Sequence, residues 1–204
     1  KHQVPIRTFA DWCETEPGFF EADLVAHCGG SVAGAFLWSL VLTDIATGWT
    51  ECLALRYRGE DAVIEGLKRL RPLLPFPLLG FDTDNGGEFI NYHLHSYYVK
   101  REEPVEMTRG RSGKKNDNPH VEQKNYTHVR CLLGYRRIED ESMVKTINEL
   151  YNAASLLNNF FCANRRIVFK ERRGSRYYKK YDEPATPCQR LLACDSTTEL
   201  QKTF

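Results

Sequence analysis

The chain has 204 residues, of which 42% are apolar and 12% aromatic, enough for one large domain with a buried core and too apolar for a mostly disordered chain. Its formal charge is only +1, and no apolar run approaches the roughly 20 residues of a membrane helix, so a soluble protein with no membrane partner is expected. It opens Lys1-His2-Gln3-Val4-Pro5, without an initiating Met or an apolar leader, and reads as a piece of a longer protein with no secretory signal.

Residues 1–17 lack periodicity and read as a lead-in segment. Strands are predicted at Phe19–His27, Phe36–Thr43 and Trp49–Arg56, joined by Gly29-Gly30 and by the turn Asp44–Gly48, which together suggest an antiparallel meander. A helix follows, opened by Glu60 and Asp61, closed by Lys68, Arg69 and Arg71 and stopped by Pro72, with Val63, Ile64, Leu67 and Leu70 as its apolar face. Leu78–Phe81 reads as a buried strand running into Asp82-Thr83-Asp84-Asn85-Gly86-Gly87, a strand-to-loop junction where open α/β sheets place ligands.

Glu88–Lys100 then reads as a helix, Val105–Thr108 as a fifth strand, and Arg109–Asp117 as a mobile polar loop. Asn118 caps a helix that has Pro119 at its first position and runs to about Leu133, where Gly134 stops it. A further helix is predicted from Ile138 to about Asn158, then a hairpin, Ile167–Lys170 and Arg176–Tyr181, and an irregular tail. The order is that of a mixed α/β sheet flanked by helices. The boundaries are a lead-in over 1–17, a core over 18–158, and a basic hairpin and tail over 159–204.

Charge is uneven. Arg165, Arg166, Lys170, Arg172, Arg173, Arg176, Lys179 and Lys180 face one acid, Glu171, and a second basic stretch holds Arg109, Arg111, Lys114 and Lys115. Such clusters are either solvated surface or footprints for a polyanion. The seven cysteines are widely spaced, form no CxxC pair and suggest neither a zinc knuckle nor a disulfide framework. Cys28, Cys52 and Cys131 sit in apolar runs and read as buried thiols, which fits a reducing, cytoplasmic compartment.

Three acids stand out by context: Asp23 within the first strand, Asp84 after the fourth, and Glu122 in the first turns of the helix after the polar loop. A charge in a core strand is costly unless paired or coordinating a metal. Three converging carboxylates repel one another, a divalent cation relieves that repulsion, and all-oxygen ligation suits Mg²⁺ or Mn²⁺. The corresponding chemistry is two-metal phosphoryl transfer, with two ions per active site, Asp23 bridging them and Asp84 and Glu122 each holding one. Gly86 and Gly87 permit close approach of a nucleic-acid backbone.

Asp23-Leu-Val-Ala-His27, Leu42-Thr-Asp-Ile-Ala-Thr-Gly-Trp49, Asp84-Asn-Gly-Gly-Glu-Phe89 and Asn118-Pro-His-Val-Glu-Gln-Lys-Asn125 together resemble the catalytic core of retroviral-type integrases and bacterial DDE transposases. The resemblance covers about Phe19 to Leu157. It implies a ribonuclease H-like mixed five-stranded sheet, with Asp23, Asp84 and Glu122 as the catalytic and metal-holding triad. Thirty-seven residues separate Asp84 from Glu122, slightly more than is usual in the family. The family places a DNA-binding domain before the core; none is readable upstream of Asp23, as expected of a domain cut from a longer transposase. The tail around Lys170–Pro184 is closer to insertion-sequence transposases than to a retroviral enzyme.

That resemblance implies cleavage at DNA element ends and transfer of the 3′-hydroxyl into target DNA. It also implies Mg²⁺ or Mn²⁺, at least a dimer on DNA, and a nucleoid-associated setting in a bacterium. Two alternatives stay open: a ribonuclease H-like nuclease acting on structured DNA or RNA–DNA hybrid, and a non-catalytic nucleic-acid-binding assembly module. Candidate DNA contacts are Arg109, Arg111, Lys114, Lys115, Tyr126, Arg130, Arg172, Arg173, Lys179 and Lys180. Tyr126 and Arg130 follow Glu122 at steps of four, which puts all three on one face of a regular helix. Asp44 is expected in turn chemistry, Asp82 as a strand-end or supporting acid, Glu21 in solvent or a salt bridge, and His27 as an ordinary sheet-end histidine.

Overall fold

The computed structural model describes residues 4–7, 15–84, 86–89, 96, 104–111 and 119–197. The elements are β1 (Phe19–Ala26), β2 (Trp38–Asp44), β3 (Thr50–Leu55), α1 (Glu60–Leu70), β4 (Gly80–Thr83), β5 (Glu106–Arg109), α2 (Pro119–Lys124), α3 (Met143–Phe160), β6 (Ile167–Arg173), β7 (Arg176–Tyr181) and α4 (Pro187–Ala193). One sheet has the order β3-β2-β1-β4-β5, antiparallel from β3 to β1 and parallel from β1 to β5. β6 and β7 pair separately.

Two-residue alternation divides the sheet into two apolar faces. Phe20, Ala22, Leu40, Leu42, Leu53 and Leu55 pack with Val63, Leu67 and Leu70 of α1. Val25, Val41, Cys52 and Ala54 pack on the opposite side with Val121, Val129, Ile147 and Tyr151. The same alternation points Glu21 and Asp23 of β1 toward the second layer. In α1, Gly66 lies against the sheet; a Cβ there would stand 3.1 Å from Leu40 and 3.2 Å from Leu55, so the glycine permits the close helix–sheet approach.

Several expected boundaries move. Leu78 and Leu79 precede β4, whose buried residues include Asp82 and Thr83. Asp82 accepts a hydrogen bond from Thr108 Oγ1 at 2.5 Å, which satisfies a polar group inside the sheet. The helix expected from Ile138 starts only at Met143, because Ile138 is used as backbone. Its carbonyl accepts from Leu37 N at 2.8 Å and its N–H donates to the His27 carbonyl at 3.1 Å. The α2 segment continues through a π-helical turn, Asn125–Arg130, and a last α turn, Cys131–Leu133, before Gly134 (φ +70°) ends it. That left-handed position suits glycine.

The lead-in segment is not structureless where described: Arg7 N donates to Arg109 O and Arg109 N to Pro5 O, both at 3.0 Å, so residues 5–7 extend the β5 edge. The tail is not irregular either. Thr186 and Gln189 form a reciprocal cap on α4, with Pro187 in the first turn, and Leu191 joins the same apolar cluster as the buried face of α1. Among the thiols read as buried, Cys52 is buried, Cys28 half-buried and Cys131 exposed. Most of the helix expected over 88–100, together with Asn118, Lys114 and Lys115, lies outside the described residues. Among the described residues no helix is long and apolar enough to cross a membrane.

The outer edge of β3 is occupied by asparagines from α3. Asn159 accepts from Thr50 N at 3.0 Å and donates to Thr50 O at 3.1 Å, imitating a neighbouring strand. Asn148 accepts from Ala54 N at 2.7 Å. Unpaired strand edges invite pairing with other chains, and these side chains close this one. Asn159→Ala would leave both Thr50 backbone groups buried without partners. It is expected to lower the unfolding free energy by about 2–4 kcal/mol, measured by urea denaturation.

Candidate active site

β1 is the central strand, and the polar residues on its second face define the site. Asp23 is half-buried. Its Oδ1 accepts from Leu24 N and its Oδ2 from Asn125 Nδ2, each at 2.7 Å. Burial first, then the charges of Asp84 and Glu122, push its carboxyl up to about 6 against these hydrogen bonds. Asp84 therefore acts on Asp23 from the loop after β4, and Glu122 acts on it from α2.

Asp84 is exposed just beyond β4, where its Oδ1 accepts from Gly86 N at 2.8 Å, a short turn that sets the loop's direction. Glu122 is exposed in the first turn of α2. Among the described residues, no group of three or more His, Cys, Asp and Glu side chains stands together ready to hold a metal ion. The donor chemistry of Asp23, Asp84 and Glu122 nevertheless fits a hard divalent cation. All are carboxylates, and the charges of Asp84 and Glu122 raise the Asp23 carboxyl, a repulsion that such a cation relieves.

Two further residues stand near the acids. Glu21, expected in solvent or a salt bridge, is fully buried. Its Oε2 accepts from Val121 N at 2.8 Å, tying the start of α2 to β1. His120 Nε2 lies 4.0 Å from its other oxygen. Burial, followed by the charge of Asp82, raises the Glu21 carboxyl well above its ordinary value despite that backbone bond. The signal was present: Glu21 lies two positions before Asp23 and shares its strand face.

The second is Arg58. Its Nη2 lies 2.6 Å and 2.8 Å from the two Glu88 oxygens, and its guanidinium sits 5.5 Å from the Trp38 ring. The hydrogen bond to Glu88, then the charges of Glu88, Asp84 and Asp23, push its pKa up, although partial burial opposes this. The Asp84 loop is thereby joined to the segment before α1. No sequence spacing signals a pair thirty residues apart.

The remaining expected site residues divide. Arg130 donates to Ala26 O at 2.9 Å and Gly134 O at 3.3 Å, and its guanidinium packs 4.9 Å from the Tyr135 ring. Tyr126 is exposed. The π-helical turn breaks the regular step of four on which the shared face of Glu122, Tyr126 and Arg130 rested. Arg109 Nε donates to Val4 O at 3.1 Å, while Arg111 is exposed. Arg172, Arg173, Lys179 and Lys180 are exposed on β6 and β7. Asp44 serves its turn, accepting from Gly18 N and Thr47 N, both at 2.8 Å. His27 is buried against Ser39 Oγ at 2.8 Å.

No family model matches the chain. It is 42% identical over 190 residues to an uncharacterized protein, y4rM, of Sinorhizobium fredii (strain NBRC 101917 / NGR234). That match covers 93% of this chain and 54% of the relative, so the chain spans about half the relative's length. The fold is similar to the HTLV-2 integrase catalytic core domain in complex with magnesium, dimeric form. The TM-score is 0.53 at 15% identity, over 72% of this chain and 90% of that one. The trimeric form gives 0.51 at 16% identity, over 70% and 85%. The cryoEM structure of the simian T-cell lymphotropic virus intasome in complex with PP2A regulatory subunit B56 gamma gives 0.57 at 15% identity, over 83% and 56%. The mixed five-stranded sheet flanked by helices is thus the ribonuclease H-like fold of integrase cores.

A carboxyl with a higher pKa in the folded chain binds its proton more tightly there than in the unfolded chain. For Asp23, with an ordinary value of 3.8 and a folded value of about 6, the stabilisation is complete below the lower value and is lost as pH rises through the upper. Without divalent cations, Asp23→Asn is expected to flatten the fall in thermal stability between pH 4 and pH 8 by about 1–3 kcal/mol, read from melting curves of both proteins.

Proposed function

We propose that the chain is the catalytic core of a DNA transposase or integrase, a polynucleotidyl transferase of the bacterial insertion-sequence type. The observation that carries the reading is the placement of three carboxylates on an integrase-like fold, Asp23 on the central strand, Asp84 just beyond β4 and Glu122 in the first turn of α2. The relative in Sinorhizobium fredii supports the bacterial affiliation. The magnesium-bound core, its dimeric and trimeric forms and the intasome among the structural neighbours support a divalent cation, DNA and a homo-oligomer of at least two subunits on DNA. The proposed compartment is the cytoplasm, at the nucleoid.

Asp23, Asp84 and Glu122 would hold Mg²⁺ or Mn²⁺, two ions per site. When bound, these supply an acidified water or 3′-hydroxyl and offset charge at the in-line phosphoryl centre. The chain's own residues prepare that arrangement. Asn125 donates to Asp23 Oδ2 and fixes the carboxylate plane. Glu21 tethers the start of the helix that presents Glu122. Arg58 holds Glu88, and so the loop of Asp84. Gly87 meets no heavy atom within 4 Å of a Cβ built on it, which leaves room for a DNA backbone beside the acids. Arg109, Arg111, Lys114, Lys115, Tyr126 and one face of the basic hairpin are the proposed DNA contacts, and Arg130 a lesser one because of its backbone bonds.

Asp84→Asn and Glu122→Gln are each expected to reduce strand transfer of element-end oligonucleotides with Mg²⁺ by at least about a hundredfold, roughly 2.7 kcal/mol of barrier, while circular dichroism stays unchanged. Wild-type transfer rates in either variant would overturn the triad. Metal-dependent hydrolysis by the unaltered chain without any strand transfer would make it a nuclease.

A further inference from the structure

β6 and β7 form a ribbon anchored at its base and open along its length. At the base, Asn164 and Ala185 exchange backbone hydrogen bonds of 3.0 and 3.2 Å, and Asp182 N donates to Arg166 O at 3.0 Å. The Arg166 guanidinium bonds Asp182 and the Ala46 carbonyl of the core. Beyond that, every residue of β7 is exposed. Two-stranded ribbons are marginal in water, so this one depends on contacts between its own side chains.

The pairing register separates those side chains by face. Arg173 opposes Arg176, Glu171 opposes Tyr178, and Phe169 opposes Lys180, all on one face. There the Phe169 and Tyr178 rings meet edge-on at 6.2 Å. Lys180 Nζ lies 5.7 Å from the Phe169 ring, the Arg173 guanidinium 4.7 Å from that of Tyr178, and Arg173 Nε 2.8 Å from Glu171 Oε2. Aromatic and cation–π contacts of this kind give the ribbon its shape, and Glu171 lowers the net charge of the face.

The opposite face is built differently. Arg172 opposes Tyr177, with Lys179 two positions further along the same strand, and no acid of the ribbon shares this side. Arg172 Nε donates to the Gly174 carbonyl at 3.1 Å, which seats its guanidinium beside the turn.

We propose that the face formed by Arg172, Tyr177 and Lys179 is a docking surface for duplex DNA, and that the face of Phe169, Glu171, Arg173, Tyr178 and Lys180 is the ribbon's own scaffold. The proposal rests on the reading of the chain as a DNA-acting enzyme, and adds which side of the ribbon meets the partner. Charge complementarity selects the occupant: between Arg165 and Lys180 the chain carries eight Lys and Arg against one acid. The duplex major groove admits a two-stranded ribbon, and Arg, Lys and Tyr side chains are ordinary phosphate donors. The four ribbon cations expected together as DNA contacts thereby divide, Arg172 and Lys179 binding and Arg173 and Lys180 supporting.

The test is fluorescence anisotropy of the full chain on a fluorescein-labelled duplex of generic sequence, across a salt series. Replacing Arg172 and Lys179 together by Ala is expected to make the dependence of log K on log salt shallower by about 1.8, two phosphate contacts' worth. Replacing Arg173 and Lys180 together by Ala is expected to leave that slope unchanged and to lower the melting temperature. Equal loss of slope in both double variants, loss in neither, or no binding by the unaltered chain at low salt would overturn the proposal. So would a slope unchanged in the Arg172/Lys179 variant with DNA-free self-association lost in sedimentation, which would assign the face to a second copy. Strand transfer by Asp84→Asn, measured in parallel, reports on the enzyme reading separately, since the salt slope does not require catalysis.

Discussion

A buried hydrogen bond across one hundred residues ties the start of α2 to the central strand: Glu21 Oε2 accepts Val121 N, and Asn125 to Asp23 and Arg130 to the Ala26 carbonyl continue the tie along the helix. The Glu21 bond sits close to each of the acids. On β1 it lies two positions from Asp23, on α2 one position from Glu122, and in the sheet it stands beside Asp82 of the strand that leads into Asp84. A carboxyl in that position is expensive, and burial shows in its raised pKa. Its value is geometric, because a helix start fixed to a strand cannot slide or rotate without leaving a buried N–H unpaired.

Around that tie the chain surrounds polar groups with partners drawn from distant sequence. Glu51 accepts from Trp49 Nε1 and Ser155 Oγ, both at 2.8 Å, inside the contact between β3 and α3. Arg190 of α4 bonds the Asn164 side chain and carbonyl and the Ala185 carbonyl, which fastens the tail beneath the ribbon. These bonds do not drive folding as apolar burial does; they restrict the chain to one arrangement. The result is a central sheet that carries the acids, with a solvent-exposed basic ribbon tied by Arg166 to the turn between β2 and β3.

The strands of the meander were legible because apolar residues alternate along them, and Asp23 was legible because it interrupts that alternation. Polar residues satisfied at a distance were not. Asp82 and Thr83 do not look like strand interior until Thr108 stands beside them. Ile138 continues a helical pattern in sequence but is claimed by the ends of β1 and β2. The cap of α4 is written in Thr186-Pro187-Cys188-Gln189, but the surrounding composition is that of a loop. Asp84 and Glu122 came from motif context rather than from periodicity. Arg58 had no local signal, since its role arises only when the segment before α1 folds against the loop of Glu88.

The helix that carries Glu122 contains a turn wound one residue wider than its neighbours, Asn125–Arg130. An added residue advances the azimuth of everything beyond it by about 100°. Before this widening Val121 enters the core and Glu122 stands by the acids; within it Asn125 reaches Asp23, Val129 enters the same core cluster and Arg130 reaches back to the end of β1. The wide turn thus works as a phase shifter, setting the angular position of each residue beyond it apart from what a uniform winding would give.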